Sequence, residues 1–274
     1  MEKAIIAAAM RRGAAGEYGV RNLLIYIIFN RLFKVAAAAL LVAAVAGCTP
    51  APTPVGFQDP DEAQNRKVHA LNKGVDRRVL RPVSAAYGAS VPQPARKALS
   101  NFSENLSLPG VVVNNLLQFR IEEAGANTFR FLLNSTFGLG GLVDVATEAG
   151  IAEDSSDFGE TLYVWGVGEG QYVEVPLLGP STSRALAGRI VDTVTNPLTL
   201  LSTDGLRAAG RAAGAASVLE TRSASGELID QVLYDSADSY AQTRLVYLQN
   251  RRFRLSGEAQ IDDFDPYEDF DDAQ

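Results

Sequence analysis

Between residues 59 and 255, apolar positions recur three and four residues apart, the period of helices that bury one face. Over 59–80 the set Val68, Leu71, Val75 and Val79 keeps this spacing, with Lys67, Lys73, Arg77 and Arg78 between them. This predicts an amphipathic helix with a basic polar surface. Such a helix suits a membrane interface, though on the pattern alone an ordinary surface position packed on a core is the more common arrangement. Arg81-Pro82 is expected to end it, because the residue before proline is pushed out of the helical region. A rigid turn at Val91-Pro-Gln-Pro94 leads into a helix from Ala95, and a second helix over 111–121 follows Pro109. A third, from Ala126, puts Phe129, Leu132, Leu133 and Phe137 on one face, with Gly138 as its stop. Gly138–Gly141 opens a short helix to Ala149. Further helices fit 183–194, 197–220 and 239–254. In the last, Ala241, Leu245 and Leu248 repeat in register behind Ser236 or Asp238 as a cap. Residues 172–178 alternate briefly and read as extended. The Ala- and Gly-rich stretch 206–217 suits close approach of another element.

The amino-terminal part breaks the pattern. Residues 35–47 are an uncharged run of 13, preceded by Arg31 and Lys34, and Val45-Ala46-Gly47-Cys48 resembles the bacterial lipobox. A basic segment, a short apolar segment and small residues before a cut site describe a signal peptide, and the run is short for a membrane span. Residues 1–47 are therefore expected to be removed, with Cys48 lipidated and 48–58 forming a Pro-rich tether. A second apolar stretch at 23–29 precedes this signal, which suggests translation from a start such as Val20. The helical domain is placed at 59–255 and an acidic, disordered tail at 256–274.

Composition narrows the chemistry. The net charge of −7 resides largely in the tail, where 258–274 hold eight acids and no base; residues 48–257 carry 19 basic and 22 acidic groups. That balance argues against nucleic acid as a partner. One Cys and one His exclude an internal disulfide and the usual zinc sites, so no metal or cofactor is expected. There is no nucleophile elbow and no phosphate-binding loop, and the only His, His69, sits among lysines on the first helix. Glu122-Glu123 and Glu153-Asp154 are adjacent in sequence and read as solvated. Gly166-Val-Gly168-Glu-Gly170 lacks the setting of a dinucleotide loop. It reads as a hinge between Trp165 and Tyr172, or as a plain tight loop. No enzyme is expected.

Several segments in order carry a family resemblance over roughly 59–253. They begin with Asp59-Pro60, Asn65-Arg66, Asn72, Asp76 and Val79-Leu-Arg-Pro82, then Val91–Arg96, Ser100-Asn-Phe102, Asn105-Leu106, Pro109 and Asn114–Leu117-Gln118. Phe129–Asn134, Gly138–Gly141, Asp144-Val-Ala146, Asp157–Leu162, Trp165–Gly168 and Leu177–Ser181 follow, with Glu220-Thr-Arg222, Tyr240, Arg244 and Tyr247 near the end. Together these resemble MlaA/VacJ outer-membrane lipoproteins. The resemblance implies a mainly α, ring-like single domain of amphipathic helices with a central channel and little or no sheet. It implies a lipid-anchored protein on the periplasmic side of a Gram-negative outer membrane. Such a protein removes mislocalised phospholipid from the outer leaflet and passes it to a periplasmic carrier of the MlaC type, bound to a trimeric porin. In that family the hairpin matching Gly166, Gly168 and Gly170 adjusts the channel. The helix bearing Lys67, Val68, Leu71, Lys73, Val75, Arg77 and Arg78 is expected to meet headgroups. Three positions depart from the family: Phe119 where Gly is common, Glu169 inside the hinge, and Ala185 where Asp is frequent. The alternative reading is a structural lipoprotein that scaffolds porins without moving lipid; a lipid hydrolase ranks last.

Overall fold

The structure, a computed structural model, describes residues 56–198 and 202–256. The signal segment 1–47, Cys48, most of the tether and nearly all of the acidic tail lie outside the described residues. Among the described residues ten α-helices and one hairpin follow in order, besides π-helical turns at Asp76–Leu80 and Gln231–Asp235: α1 (Glu62–Val75), α2 (Arg81–Ser90), α3 (Gln93–Leu117), α4 (Ile121–Thr136), α5 (Val145–Glu148), α6 (Phe158–Val164), β1 (Tyr172–Val175), β2 (Gly179–Thr182), α7 (Ser183–Thr195), α8 (Asp204–Ala224), α9 (Gly226–Asp230) and α10 (Ser239–Ser256). Side-chain caps start many of these. Asp144, Asp157, Thr182 and Thr203 accept from the backbone N–H of Thr147, Glu160, Ala185 and Leu206, donors that would otherwise be orphaned.

The fold is mainly helical with a two-stranded sheet, as expected, but two prolines act differently from the prediction. Arg81-Pro82 does not end the first helix: a π-helical turn, Asp76–Leu80, carries α1 into α2, with Pro82 in the opening turn of α2. Proline is tolerated there because first-turn N–H groups have no partner within the helix, and a π turn resets the hydrogen-bond ladder. Pro109 does not divide two helices either; it lies inside the 25-residue α3. The predicted helix over 197–220 is α8, from Asp204 to Ala224, and Gly138 ends α4 through close approach. A Cβ at Gly138 would stand 2.1 Å from the Val143 carbonyl oxygen. The Ala/Gly stretch of α8 packs on α3 and α2, and a Cβ at Gly210 would lie 3.0 Å from Leu106.

The inward faces are the main surprise. Among the described residues only seven hydrophobic side chains are buried, against 21 polar or charged ones, and 23 large hydrophobics are exposed. Globular proteins in water do the reverse. On α4 the buried face is Ala124, Asn127, Arg130 and Asn134, whereas of the predicted face Phe129, Leu132 and Phe137 are exposed and Leu133 is half-buried. On α10 the buried stripe is Tyr240, Arg244, Leu248 and Arg251, with Leu245 outward.

Three loop tips repeat the theme. Phe119, Leu139 and Leu177 all have positive φ (60°, 54° and 64°), a conformation glycine adopts freely and a bulky residue at a cost of about 1–2 kcal/mol. All three are exposed. Phe119 ends α3 with a Schellman cap, the Arg120 N–H donating to the Asn115 carbonyl at 2.9 Å, which explains why glycine suits this position. Leu177 follows Pro176 in the hairpin turn, where the Leu178 N–H donates to the Val175 carbonyl at 3.2 Å, the arrangement of a type II turn. β1 and β2 pair antiparallel, with Tyr172 opposite Thr182 and Val175 opposite Gly179.

Candidate functional site

Two asparagines two turns apart on α1 hold the hairpin. Asn65 accepts from the Glu174 N–H at 3.0 Å and donates to the Tyr172 carbonyl; Asn72 accepts from the Leu177 N–H at 2.7 Å and donates to the Val175 carbonyl at 3.0 Å. This docking, with α8, the α9 region and α10, borders an open-sided cavity of about 860 Å³. Val79, Leu80, Val83, Leu178 and Val218 give it an apolar wall; His69, Lys73, Asp76, Glu174 and Arg222 give it a polar one. A second cavity of about 420 Å³ shares Pro180, Ile229, Leu233 and Thr243 with the first.

The polar wall is closely paired. Asp76 accepts from Arg222 Nε at 2.8 Å, Arg222 Nη2 at 3.0 Å and the Tyr234 hydroxyl at 2.6 Å. Burial opposes ionisation of Asp76, but these hydrogen bonds and the charges of Arg222 and Arg81 outweigh it and hold the carboxyl below its ordinary value. Burial, and donation to Asp76, push the Tyr234 hydroxyl up to about 12. Arg222 also meets Asp230 at 2.6 Å. Glu174 accepts from the Tyr172 hydroxyl and from Asn72 at 3.2 Å, and its Oε1 lies 3.4 Å from His69 Nδ1.

His69 Nε2 lies 3.1 Å from Ser239 Oγ, so Ser239, His69 and Glu174 stand in line, which sequence order conceals across 170 residues, although His69 Nδ1 makes no hydrogen bond to Glu174. A nucleophile of this type needs free donors for the developing oxyanion. The neighbouring N–H groups of Tyr240 and Ala241 both donate to Asp238 Oδ1 at 3.1 Å. That pairing makes Asp238, one of the two expected caps, the cap of α10.

The predicted interface set divides. Lys67, Leu71, Arg77 and Arg78 are exposed, Val68 and Val75 are half-buried, and Lys73 lines the cavity. Arg77 sits 4.9 Å over the Tyr234 ring. The face of α1 turned inward is Asn65, His69 and Asp76, one position round from the apolar series that the spacing singled out. Cys48 lies outside the described residues.

The glycine segment is an exposed loop fastened at several points. Gly166 (φ 81°) and Gly170 (φ 73°) need their glycines; Gly168 has an open side and no such angle. Glu169 between them is buried and accepts from Arg252 Nε at 2.9 Å. Buried Arg184 donates to the Val167 carbonyl at 2.8 Å, and Trp165 Nε1 donates to the Leu117 carbonyl at 3.1 Å. The departure at Glu169 thus has a partner, and Arg184 is engaged by the loop backbone.

Sequence reading missed a polar seam between α3, α4 and the segment after α5. Asn127 donates to Asn115 at 3.2 Å and to the Asp154 carbonyl at 2.9 Å; Asn115 donates to Asp154 at 2.8 Å; Asn134 and Arg130 converge on Asp144. Asp154 also pairs with Arg120 at 2.8 Å, so this carboxylate is not simply solvated. The signal was the spacing of Asn127, Arg130 and Asn134, a helical stripe as regular as the apolar one beside it. Among the described residues there is no cluster with metal-binding character, and no helix long and apolar enough to cross a membrane.

A helical body with a polar interior, an apolar exterior and a two-walled cavity defines a class of protein built to contact amphiphiles. The chain belongs to the MlaA lipoprotein family, whose profile matches residues 57–254. It is 35% identical over 231 residues to the intermembrane phospholipid transport system lipoproteins MlaA of Shigella flexneri and of Escherichia coli (strain K12), covering 82% of this chain and 89% of each relative. It is also similar to a structure solved in work on the structural basis for maintenance of bacterial outer membrane lipid asymmetry. That similarity has a TM-score of 0.62 and 34% identity, over 72% of this chain and 99% of that one.

Proposed function

We propose that this protein is anchored by acyl chains on Cys48 to the periplasmic side of a Gram-negative outer membrane. There it removes mislocalised phospholipid from the outer leaflet and passes it to a periplasmic carrier of the MlaC type, maintaining lipid asymmetry. The observation that carries the reading is the inverted burial: polar groups inside, large apolar side chains outside. An apolar exterior is favourable against hydrocarbon and unfavourable against water, at about 25 cal/mol per Å². The relatives' shared role in intermembrane phospholipid transport supplies the direction of the argument.

The two-walled cavity suits a lipid in transit. A headgroup taken past hydrocarbon without polar partners is very costly, whereas one polar wall lets the headgroup travel while the tails keep apolar contact. The reading needs no chemical step. A ring of helices around a central channel and a trimeric porin against the exposed apolar face complete the proposal. The loop at Gly166, Gly168 and Gly170 adjusts passage, and the basic set on α1 and its π turn faces headgroups. The deciding experiment is transfer of labelled phospholipid from vesicles carrying the acylated protein to a purified carrier. Transfer that depends on both proteins is expected. Vesicles that hold the protein and bind porin yet release no lipid to the carrier would overturn the proposal in favour of scaffolding.

A further inference from the structure

We propose that Lys73 anchors a lipid headgroup through its phosphate oxyanion at the polar wall of the cavity, an inference that rests on the lipid-transport reading above. The argument proceeds by elimination. Among the charged and amide side chains lining the cavity, Arg222 is neutralised by Asp76 and Asp230. Asn72 is engaged by the backbone of the hairpin on both its oxygen and its nitrogen. Glu174 is 3% exposed, and its oxygens are taken by Tyr172 and Asn72. His69 Nε2 meets Ser239, and its Nδ1, which makes no hydrogen bond, faces the Glu174 carboxylate at 3.4 Å, so an anion there would meet a like charge.

Lys73 is different. Its ammonium has no carboxylate partner among the described residues; it donates to the Ser239 hydroxyl at 3.1 Å and lies 5.6 Å over the Tyr234 ring. An ammonium with only neutral partners, at the edge of an apolar cavity, is under-compensated and attracts an anion. A second observation points the same way. Thr243 stands one turn beyond Ser239 on the same side of α10, lines both cavities, and its buried hydroxyl has no hydrogen-bond partner. The Lys73 ammonium and the Thr243 hydroxyl both line the cavity and have donors to offer a phosphate oxygen set, while Ser239 is occupied in holding Lys73 and His69 in place. The apolar wall of Val79, Val83 and Val218 lies ready for the attached acyl chains.

The test compares capture of dioleoylphosphatidylglycerol and of dioleoylglycerol by the full chain in detergent, with inorganic phosphate as competitor. The two lipids share tails and differ in phosphate. The wild-type protein is expected to favour the phospholipid, and Lys73→Met to reduce that ratio about tenfold while still taking up the diglyceride. Lys73→Arg, which keeps the charge, retains most of the preference, and its unchanged helix content separates recognition from folding. An unaltered ratio in Lys73→Met would overturn the assignment. Failure of the wild-type protein to capture either lipid would remove the transport reading itself. Inorganic phosphate binding that depends on Lys73, with no preference between the two lipids, would make this a site for the free ion and overturn the headgroup assignment.

Discussion

The seam between α3 and α4 and the aromatic cluster under β1 are held by opposite means. In the seam Asn115, Asn127, Arg130 and Asn134 are all at most 4% exposed, and each makes at least one hydrogen bond, Arg130 to the Ile151 carbonyl as well as to Asp144, although Asn127 Oδ1 and Arg130 Nε have no partner. Under β1, Tyr172, Tyr240 and Leu248 form the one buried hydrophobic cluster among the described residues, with Tyr247 packed against it. The rings meet edge to face, Tyr172 to Tyr240 at 5.9 Å and His69 to Tyr240 at 5.6 Å. Directional bonds fix one geometry and fail sharply when a partner is lost. Packed rings lose stability in proportion to the area and volume removed. The contrast shows how a body whose outer surface is apolar retains a specific fold: its interior is distinguished from its surroundings by polarity.

Removal of one member of a buried ion pair breaks that comparison most severely. Arg130 is 3% exposed and is met by Asp144 at 3.1 Å. Asp144→Ala leaves the buried guanidinium with only the neutral Thr147 and Ile151 as partners and is expected to destabilise the body by about 3 kcal/mol, measured by denaturant unfolding. Leu248→Ala in the aromatic cluster should cost about 2–5 kcal/mol through its cavity. A replacement of the whole network by well-packed apolar residues would cost far less than the single change, because only the single change leaves a charge unpaired. A Asp144→Ala loss smaller than that of an exposed substitution would show that water reaches the seam.

Acid sharpens the same contrast. Burial opposes ionisation of Asp144, but hydrogen bonds from Thr147 and Asn134 and the charge of Arg130 keep it below the ordinary 3.8. Burial likewise opposes ionisation of Asp157, which its paired bonds to Arg251 at 2.6 and 2.7 Å overcome. A carboxyl lowered on folding contributes its stability fully above its unfolded value, and that stability is lost as pH falls through the lowered folded value. Stability should therefore decline from about pH 3.8 downward, and Asp144→Asn should flatten the seam's share of that slope in unfolding curves taken across the range. A slope identical to that of the parent protein would deny Asp144 its part.

Helix existence was legible from period alone, because 3.6-residue spacing survives whichever face is buried. Direction was not. The rule that apolar faces point inward belongs to water, and it assigned Phe129, Leu132 and Leu245 to a core they do not enter. The stripe of Asn127, Arg130 and Asn134 was equally visible and was passed over for that reason. Pro82 and Pro109 misled because a breaker rule is local, whereas a π turn and continued packing along α3 are decided by tertiary context. Pairs such as Asp76 with Arg222, 146 residues apart, leave no trace in the spacing of a single sequence. The segments that resembled a family contain Asn72, Asp76, Leu80, Leu178 and Arg222 of the cavity but not His69, Lys73 or Glu174, and they do not show what any of these touch.

The smallest expected effect on folding is the most telling for the outer surface. Phe119 is 64% exposed at φ 60°, so its ring contributes little to the interior while its backbone bears strain. Phe119→Gly relieves that strain and loses some chain entropy in the unfolded state's favour, for a net change between zero and about 1 kcal/mol of stabilisation. In water that substitution would be an improvement without consequence. If the tip of the α3–α4 turn faces hydrocarbon, the same change removes an apolar group from the lipid-facing surface. Partition of the unacylated body onto phospholipid vesicles should then weaken several-fold while thermal unfolding is unchanged or slightly raised. Vesicle partition indifferent to Phe119, with the same unfolding result, would mean that this tip meets water or a protein partner, and would confine the lipid-facing surface to α4 and its neighbours.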